Sequence, residues 1–393
     1  MRMLSRSLLV LSFFGLIGLV IGCGDSGGGS SSSSVGTGRV ALALTDGPTD
    51  EFSQVLVTVL RIDLLPGDDE AYRETIFEGR ETFDLLALEN VVEPFAIAED
   101  IPAGTYEKLR MRIAEIELIR VLSDGSTESV FPRLPGGDRI DLNPRGGFEV
   151  RPGATLAIQL DVDARRSIQI VGTGSGRYLF RSQVFVDIMD ADRVSRLVSI
   201  EGVVDEIDDA SEPWRLRVCE IAVTYRDRYS QSDEHCLPVF VDEDTSIFDD
   251  SGLSVMRDEL RIGGRVAVLG RYAEDEESRF AIDAEVIELG GSAAFLTLTG
   301  VVTSCFCVPT EAIVVELDPG QGFAEGTVLD VSLTEGTRIF NRAGEELDPE
   351  DIEEFDLVEM DGVLFLSDGE PDELRAAVLF VRPGEPPASD PVE

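Results

Sequence analysis

Three short segments of this chain recur at one fixed distance. Thr245-Ser246-Ile247-Phe248 returns as Thr337-Arg338-Ile339-Phe340, each position 92 further on. At the same spacing, Gly264-Arg265-Val266-Ala267-Val268 returns as Asp356-Leu357-Val358-Glu359-Met360, and Ala284-Glu285-Val286 as Ala376-Ala377-Val378. The opening strand Ile200-Glu201-Gly202-Val203-Val204 matches Leu298-Thr299-Gly300-Val301-Val302 at an offset of 98. A self-match of this kind marks one supersecondary unit used twice. Each copy, 198–290 and 295–383, reads as five or six short strands with Gly and Asp turns between them. Closing such a meander into a small barrel removes the sheet edges that would otherwise pair with other chains.

The preceding segment, 37–192, is also written in strands. Arg39-Val40-Ala41-Leu42-Ala43-Leu44 runs into the turn Thr45-Asp46-Gly47-Pro48. Val55, Val57 and Val59 alternate with Leu56, Thr58 and Leu60, which fits a strand covered on both faces. Leu109, Met111 and Ile113 mark a further long strand, and 155–162 and 178–188 continue the pattern. Strong helix signals are absent from this segment, with a turn or two expected within 84–90. The expected fold is all-β: an N-terminal β-sandwich followed by two repeated small β-barrel-like domains.

Four motifs carry a resemblance. Leu44-Thr45-Asp46-Gly47-Pro48, Phe83-Asp84-Leu85-Leu86-Ala87-Leu88, Ile101-Pro102-Ala103-Gly104-Thr105-Tyr106, and Leu160-Asp161-Val162-Asp163 with Ser167-Ile168 occur in this order. Together they resemble the bacterial lipoprotein family called domain of unknown function 4382. That resemblance implies an envelope lipoprotein with a β-rich module and no assigned catalytic residue. The repeated copies resemble, on shorter motifs, domain of unknown function 5666, a small barrel-like module.

Arg2 and Arg6 precede an apolar run over 8–21 that is shorter than the roughly 20 residues of a spanning helix. Val20-Ile21-Gly22-Cys23 resembles the bacterial lipobox. This implies cleavage between Gly22 and Cys23, removal of the signal peptide 1–22, and a diacylglycerol with an N-acyl chain on Cys23. Several acyl chains make an anchor stable. Residues 23–36, rich in Gly and Ser, read as a flexible linker, and 384–393, rich in Pro, as a disordered tail. Gly24 after the cysteine matches the outer-membrane address of enteric-type sorting.

The chain of 393 residues holds 33 Lys plus Arg against 76 Asp plus Glu, a net charge of −43. Such a field excludes nucleic acid and opposes binding to anionic lipid head groups. Lys108 is the lone lysine, a bias that salt adaptation and a GC-rich genome explain equally well. With Cys23 acylated, Cys219, Cys236, Cys305 and Cys307 form an even set suited to an oxidising compartment. Cys219 pairs with Cys236 across a long hairpin in the preferred connectivity, leaving Cys305 with Cys307 by exclusion.

Catalytic constellations are scarce. His235 is the sole histidine and sits in the acidic stretch Ser232-Asp233-Glu234-His235-Cys236, without a nucleophile elbow. Zinc ligation by His235 and the four cysteines has the right atoms but needs reduced thiols from both repeats. Asp161 and Asp163, at i and i+2 on one strand face, can face a common ligand such as Ca²⁺, which Asp46 joins only if the fold brings it near. The alternative is an Asx turn at Asp46 and a solvated strand. Gly172-Thr173-Gly174-Ser175-Gly176 lacks the helix and lysine of a phosphate loop. Trp214 suits a sugar platform or a partly buried strand edge. No cofactor is required by the sequence, and Ca²⁺ is the one its acidic turns admit.

These residues point to a lipid-anchored envelope protein whose β modules bind or scaffold rather than catalyse. The membrane is met through the lipid, and the unknown partner is a protein or polysaccharide. A Ca²⁺-dependent surface binding or adhesion protein is the alternative. A hydrolase of envelope polymers, which needs two opposed carboxyls in a cleft, ranks last.

Overall fold

A computed structural model describes residues 36–47, 52–67, 72–122, 126–134, 137–142, 144, 146–171, 177–181, 183–193, 195–222, 236–307, 310–367 and 370–384. The N-terminal part contains β1 (Thr37–Gly47), β2 (Gln54–Leu65), β3 (Glu74–Asp84), β4 (Val91–Pro102), β5 (Gly104–Tyr106) and β6 (Lys108–Val121). It continues with β7 (Thr127–Val130), β8 (Arg139–Leu142), β9 (Phe148–Val150), β10 (Thr155–Asp163), β11 (Ile168–Val171), β12 (Arg177–Phe180) and β13 (Val184–Ile188). The first repeat comprises β14 (Leu197–Asp208), β15 (Trp214–Ala222), β16 (Leu237–Val241), β17 (Ser246–Phe248), β18 (Ser254–Val255), β19 (Arg265–Glu274) and β20 (Phe280–Leu289). The second comprises β21 (Leu296–Cys307), β22 (Thr310–Leu317), β23 (Val328–Asn341), β24 (Leu357–Ser367) and β25 (Glu370–Arg382).

The N-terminal part is a sandwich. One sheet runs β13-β10-β1-β4, with β1 parallel to β10; the other runs β3-β2-β6-β7, with β8 also on β6. Val40, Leu42, Leu44, Val57, Ile62, Leu109, Met111, Ile158 and Leu160 fill the space between them. The alternation of β1 assigns its other face too: Ala41 and Ala43, with Ala157 of β10, pack into the core of the first barrel. Small residues there let a second body lie close against the sheet. β4 then pairs in parallel with β14 through Val91 and Leu197, so the sandwich sheet runs on into the first barrel. The expected strand at 178–188 is two strands, β12 on β11 and β13 on β10.

The four N-terminal motifs hold the sandwich together. Asp84 accepts the Val55 N–H at 3.1 Å and a Gln54 amide hydrogen bond at 3.0 Å. It also caps the single 3₁₀ turn Leu85–Leu88, where the short helix was expected. The Thr45 hydroxyl donates to the Leu88 carbonyl at 3.0 Å, tying the first motif to the second. In the third, the Tyr106 hydroxyl donates to the Pro102 carbonyl at 2.8 Å, pinning the corner between β4 and β6. Ser167 Oγ accepts the Gln183 N–H at 2.7 Å.

Both repeats close into five-stranded barrels with one topology. The first closes as β14-β15-β16-β20-β19 and the second as β21-β22-β23-β25-β24, each with one parallel contact, β16–β20 and β23–β25. Their matching hydrogen bonds bear out the spacing of 92. Thr245 Oγ1 donates to the Ala284 carbonyl at 2.9 Å, and Thr337 Oγ1 to the Ala376 carbonyl at 2.6 Å. A bulge falls between Leu269 and Gly270 in one copy and between Asp361 and Gly362 in the other.

The Ile-Phe pair of each copy divides its work. Ile247 and Ile339 point into their own barrels, whereas Phe248 and Phe340 meet in a separate cluster between them. Leu197 with its counterpart Phe295, and Val286 with Val378, complete that seam. Equivalent positions of both copies thus face each other, as in an isologous dimer. Glu285 and Arg338 add an ion pair at 2.5 Å. Cys219 and Cys236 are bonded across the β15–β16 hairpin. Cys305 is disulfide-bonded as well, while the side chain of Cys307 lies outside the described residues.

A Cβ on Gly362 would meet the Arg375 carbonyl oxygen at 2.4 Å, and one on Gly270 the Asp283 carbonyl oxygen at 2.2 Å. Gly362→Ala and Gly270→Ala are therefore each expected to lower unfolding stability by about 1–3 kcal/mol in denaturant melts. Gly104→Ala, whose Cβ meets nothing within 4 Å, should stay close to wild type.

Candidate ligand cavity between the barrels

The seam does not close completely. Beside its apolar pairs lies a cavity of about 270 Å³, walled by Ile200, Leu269, Val286, Phe295 and Val378 and lined by Glu93, Glu201, Glu288, Glu359 and Asp361. Glu93 comes from β4 of the sandwich, and strands of the two barrels place the other four carboxyls. In the first, Glu201 of β14, Ala267 of β19 and Glu288 of β20 lie in one cross-strand row. In the second, Thr299, Glu359 and Phe380 form the matching row on β21, β24 and β25.

Glu288 is 8% exposed, and its Oε1 is buried with no hydrogen-bond partner among the described residues. Burial, reinforced by Asp361 and Glu201, holds its carboxyl well above the usual carboxylate range. Glu359 accepts from the Asn90 amide at 3.0 Å. Burial first, then Asp361 and Glu89, push it up to about 8, against the opposing pull of Asn90 and Arg382. Asp361 is also raised by burial, with the Thr297 hydroxyl bond working the other way. Glu359 and Asp361 keep an intermediate exposure because part of their surface faces the cavity. Around the margin, Glu201 accepts from Ser292 Oγ at 2.9 Å and lies 3.3 Å from Arg265, and Glu89 pairs with Arg382.

The fold does not demand these acids. At the repeat spacing of 92, the counterparts of Glu359, Asp361 and Glu288 are Ala267, Leu269 and Phe380. The same strand positions are thus satisfied by apolar residues in the sister copy. Burying three carboxyl groups where methyl, isobutyl and phenyl groups fit is unfavourable for stability. Such clusters of shifted groups gather at functional sites.

The residues singled out from the sequence lie elsewhere. Asp161 and Asp163 are on one strand, and Asp161 pairs in register with Thr45, whereas Asp46 pairs with Val162. The three do not form a ligand set, and no group of three His, Cys, Asp or Glu among the described residues is placed to hold a metal ion. Arginine supplies the positive charge instead. Arg196 donates to the Asp46 carbonyl at 2.9 Å and the Glu89 carbonyl at 3.0 Å, and Arg342 donates to the Asp46 carbonyl at 3.1 Å. Burial raises Asp161, and Arg196 and Arg342 oppose that rise. Asp163 accepts the Arg166 N–H at 2.8 Å and pairs with its guanidinium at 3.4 Å.

Trp214 is half-buried with the Arg257 guanidinium 4.7 Å from its ring centre, a stacked edge residue rather than an open platform. Gly22, Cys23, Gly172 to Gly176, His235 and the tail 385–393 lie outside the described residues. No helix among the described residues is long and apolar enough to cross a membrane.

Comparison with known proteins bears on the sandwich. Residues 37–182 match the family model described as Domain of unknown function (DUF4382), which covers less than half of the chain. No curated protein and no solved structure matches the chain.

The raised Glu359 sets a direction for stability against pH. Its folded value of about 8 exceeds the ordinary 4.5, so between these values the native state binds more protons than the unfolded one. Stability is then fully present below about 4.5 and declines as pH rises through about 8. Melting temperature is expected to fall across this window, and Glu359→Gln to flatten the fall.

Proposed function

We propose that this chain is a lipid-anchored cell-envelope protein whose β modules serve binding rather than catalysis, with the interbarrel cavity as the binding site. The observation that carries the binding reading is the divergence of the repeats: carboxyls stand at Glu288, Glu359 and Asp361 where the sister copy has Phe380, Ala267 and Leu269. A duplicated barrel needs no such change to fold. It acquires a lined cavity by making it.

The envelope reading rests on the lipobox-like Val20-Ile21-Gly22-Cys23 and on the Gly/Ser-rich residues that follow it. It is supported by the Cys219–Cys236 disulfide, which suits an oxidising compartment. In this arrangement Cys23 carries the acyl chains, the linker sets the folded part off the bilayer, and the sandwich braces the first barrel. Outer-membrane placement follows the sorting logic of Gly24. The match to a domain of unknown function names no activity.

Two measurements test the two halves of the proposal. Cys23→Ser should move the protein from the membrane to the soluble fraction on cell fractionation, and continued membrane retention would refute the anchor. Glu288→Leu, which removes the unpartnered buried oxygen, should raise unfolding stability at pH 7 by about 1–3 kcal/mol. A loss of stability would make the carboxyl a structural element and remove the argument for a binding site.

A further inference from the structure

The chemistry of the cavity wall narrows the ligand. Its lining includes Glu93, Glu201, Glu288, Glu359 and Asp361 but no lysine, arginine or histidine. Two guanidinium groups at its margin are committed, Arg265 to Glu201 and Arg382 to Glu89. The lining therefore offers an anion no cationic partner. Glu288, 8% exposed with Oε1 unpartnered among the described residues, is an acceptor held at the cavity without a donor.

Size and geometry restrict the cation further. The volume of about 270 Å³ lies just below the usual range of small-molecule pockets, about 300–1,000 Å³. The carboxyls come from both barrels and, with Glu93, from the sandwich, and no group of three is spaced for a metal ion among the described residues. Between them lie Leu269, Val286, Phe295 and Val378, which suit methylene groups.

We propose that the interbarrel cavity binds a small organic cation, a protonated amine or guanidinium on a short aliphatic chain. Resting on the binding reading above, the proposal names the ligand class for that same site. The charged end meets Glu288, Glu359 and Asp361, and the chain lies along the apolar wall. Binding favours the ionised carboxylates, so it releases protons wherever the free cavity is protonated. The other titratable or charged groups facing this cluster are Glu93 and Glu201 at the lining, Glu89 beside Glu359, and Arg265 and Arg382 in their ion pairs.

The test is a thermal melt of the full chain in detergent at pH 7 with n-butylamine, 1,4-diaminobutane or butylguanidine. CaCl₂ and NaCl at matched ionic strength serve as references. The expected result is a saturable rise of several degrees with at least one organic cation over NaCl. Calorimetry in two buffers of different ionisation enthalpy should show proton release on binding. The rise should vanish in Glu288→Gln/Glu359→Gln and persist in Glu243→Gln, a change at an exposed position. Equal rises with every salt would mean charge screening alone and overturn the proposal. A rise specific to Ca²⁺ would overturn the ligand class while leaving a binding site standing. No rise with any cation would likewise remove the ligand class, whereas the binding reading itself falls only with a destabilised Glu288→Leu.

Discussion

The packing of one barrel against its own duplicate is the constraint on which the rest of this structure depends. Phe248 and Phe340, Leu197 and Phe295, and Val286 and Val378 share an apolar cluster separate from either barrel core. Each such side chain contributes about 1.5–3 kcal/mol when fully buried, so the seam is a major attachment between the copies. It also fixes what neighbours what. Because equivalent positions face each other, a substitution in one copy appears against the sister surface rather than in solvent. Glu288, Glu359 and Asp361 are substitutions of that kind, and the cavity lies where they meet.

Around this seam the sandwich acts as a brace. β1 buries Val40, Leu42 and Leu44 on one face, and on the other presses Ala41 and Ala43 into the first barrel. β4 lends its edge to β14, and from the turn just before β4, Asn90 reaches across to Glu359. The sandwich and the second barrel thus meet at one carboxyl. That carboxyl is kept neutral near pH 7 mainly by its burial. A region so heavily acidic and so poorly solvated works against folding, which is the usual signature of residues retained for function.

Much of the architecture was legible in the sequence. The spacing of 92 places Thr245 and Thr337 in the same hydrogen bond, and both copies close with the same strand order. The Cys219–Cys236 pair follows from the hairpin that joins β15 to β16. The site was less visible. The alignment of Ala267 with Glu359 was on the page, but a carboxyl in a strand reads as solvated until its face is known to be covered by another body. The surroundings of Asp46 and Asp161 were hidden too: Arg196 and Arg342, distant in sequence, both donate to the backbone carbonyl of Asp46 beside them. The continuity of β4 with β14 was equally hidden, since two strands joined edge to edge carry no shared pattern.

The central claim is that a carboxyl is buried and protonated at neutral pH in the space between the barrels. Infrared difference spectroscopy of the full chain, compared with Glu359→Gln across a pH titration, measures this most directly. The account predicts a component of the protonated-carboxyl band that persists at neutral pH, is lost as the pH passes about 8, and is missing from the variant. A spectrum in which Glu359 is already ionised by pH 6, near the ordinary range of a glutamate, would contradict it.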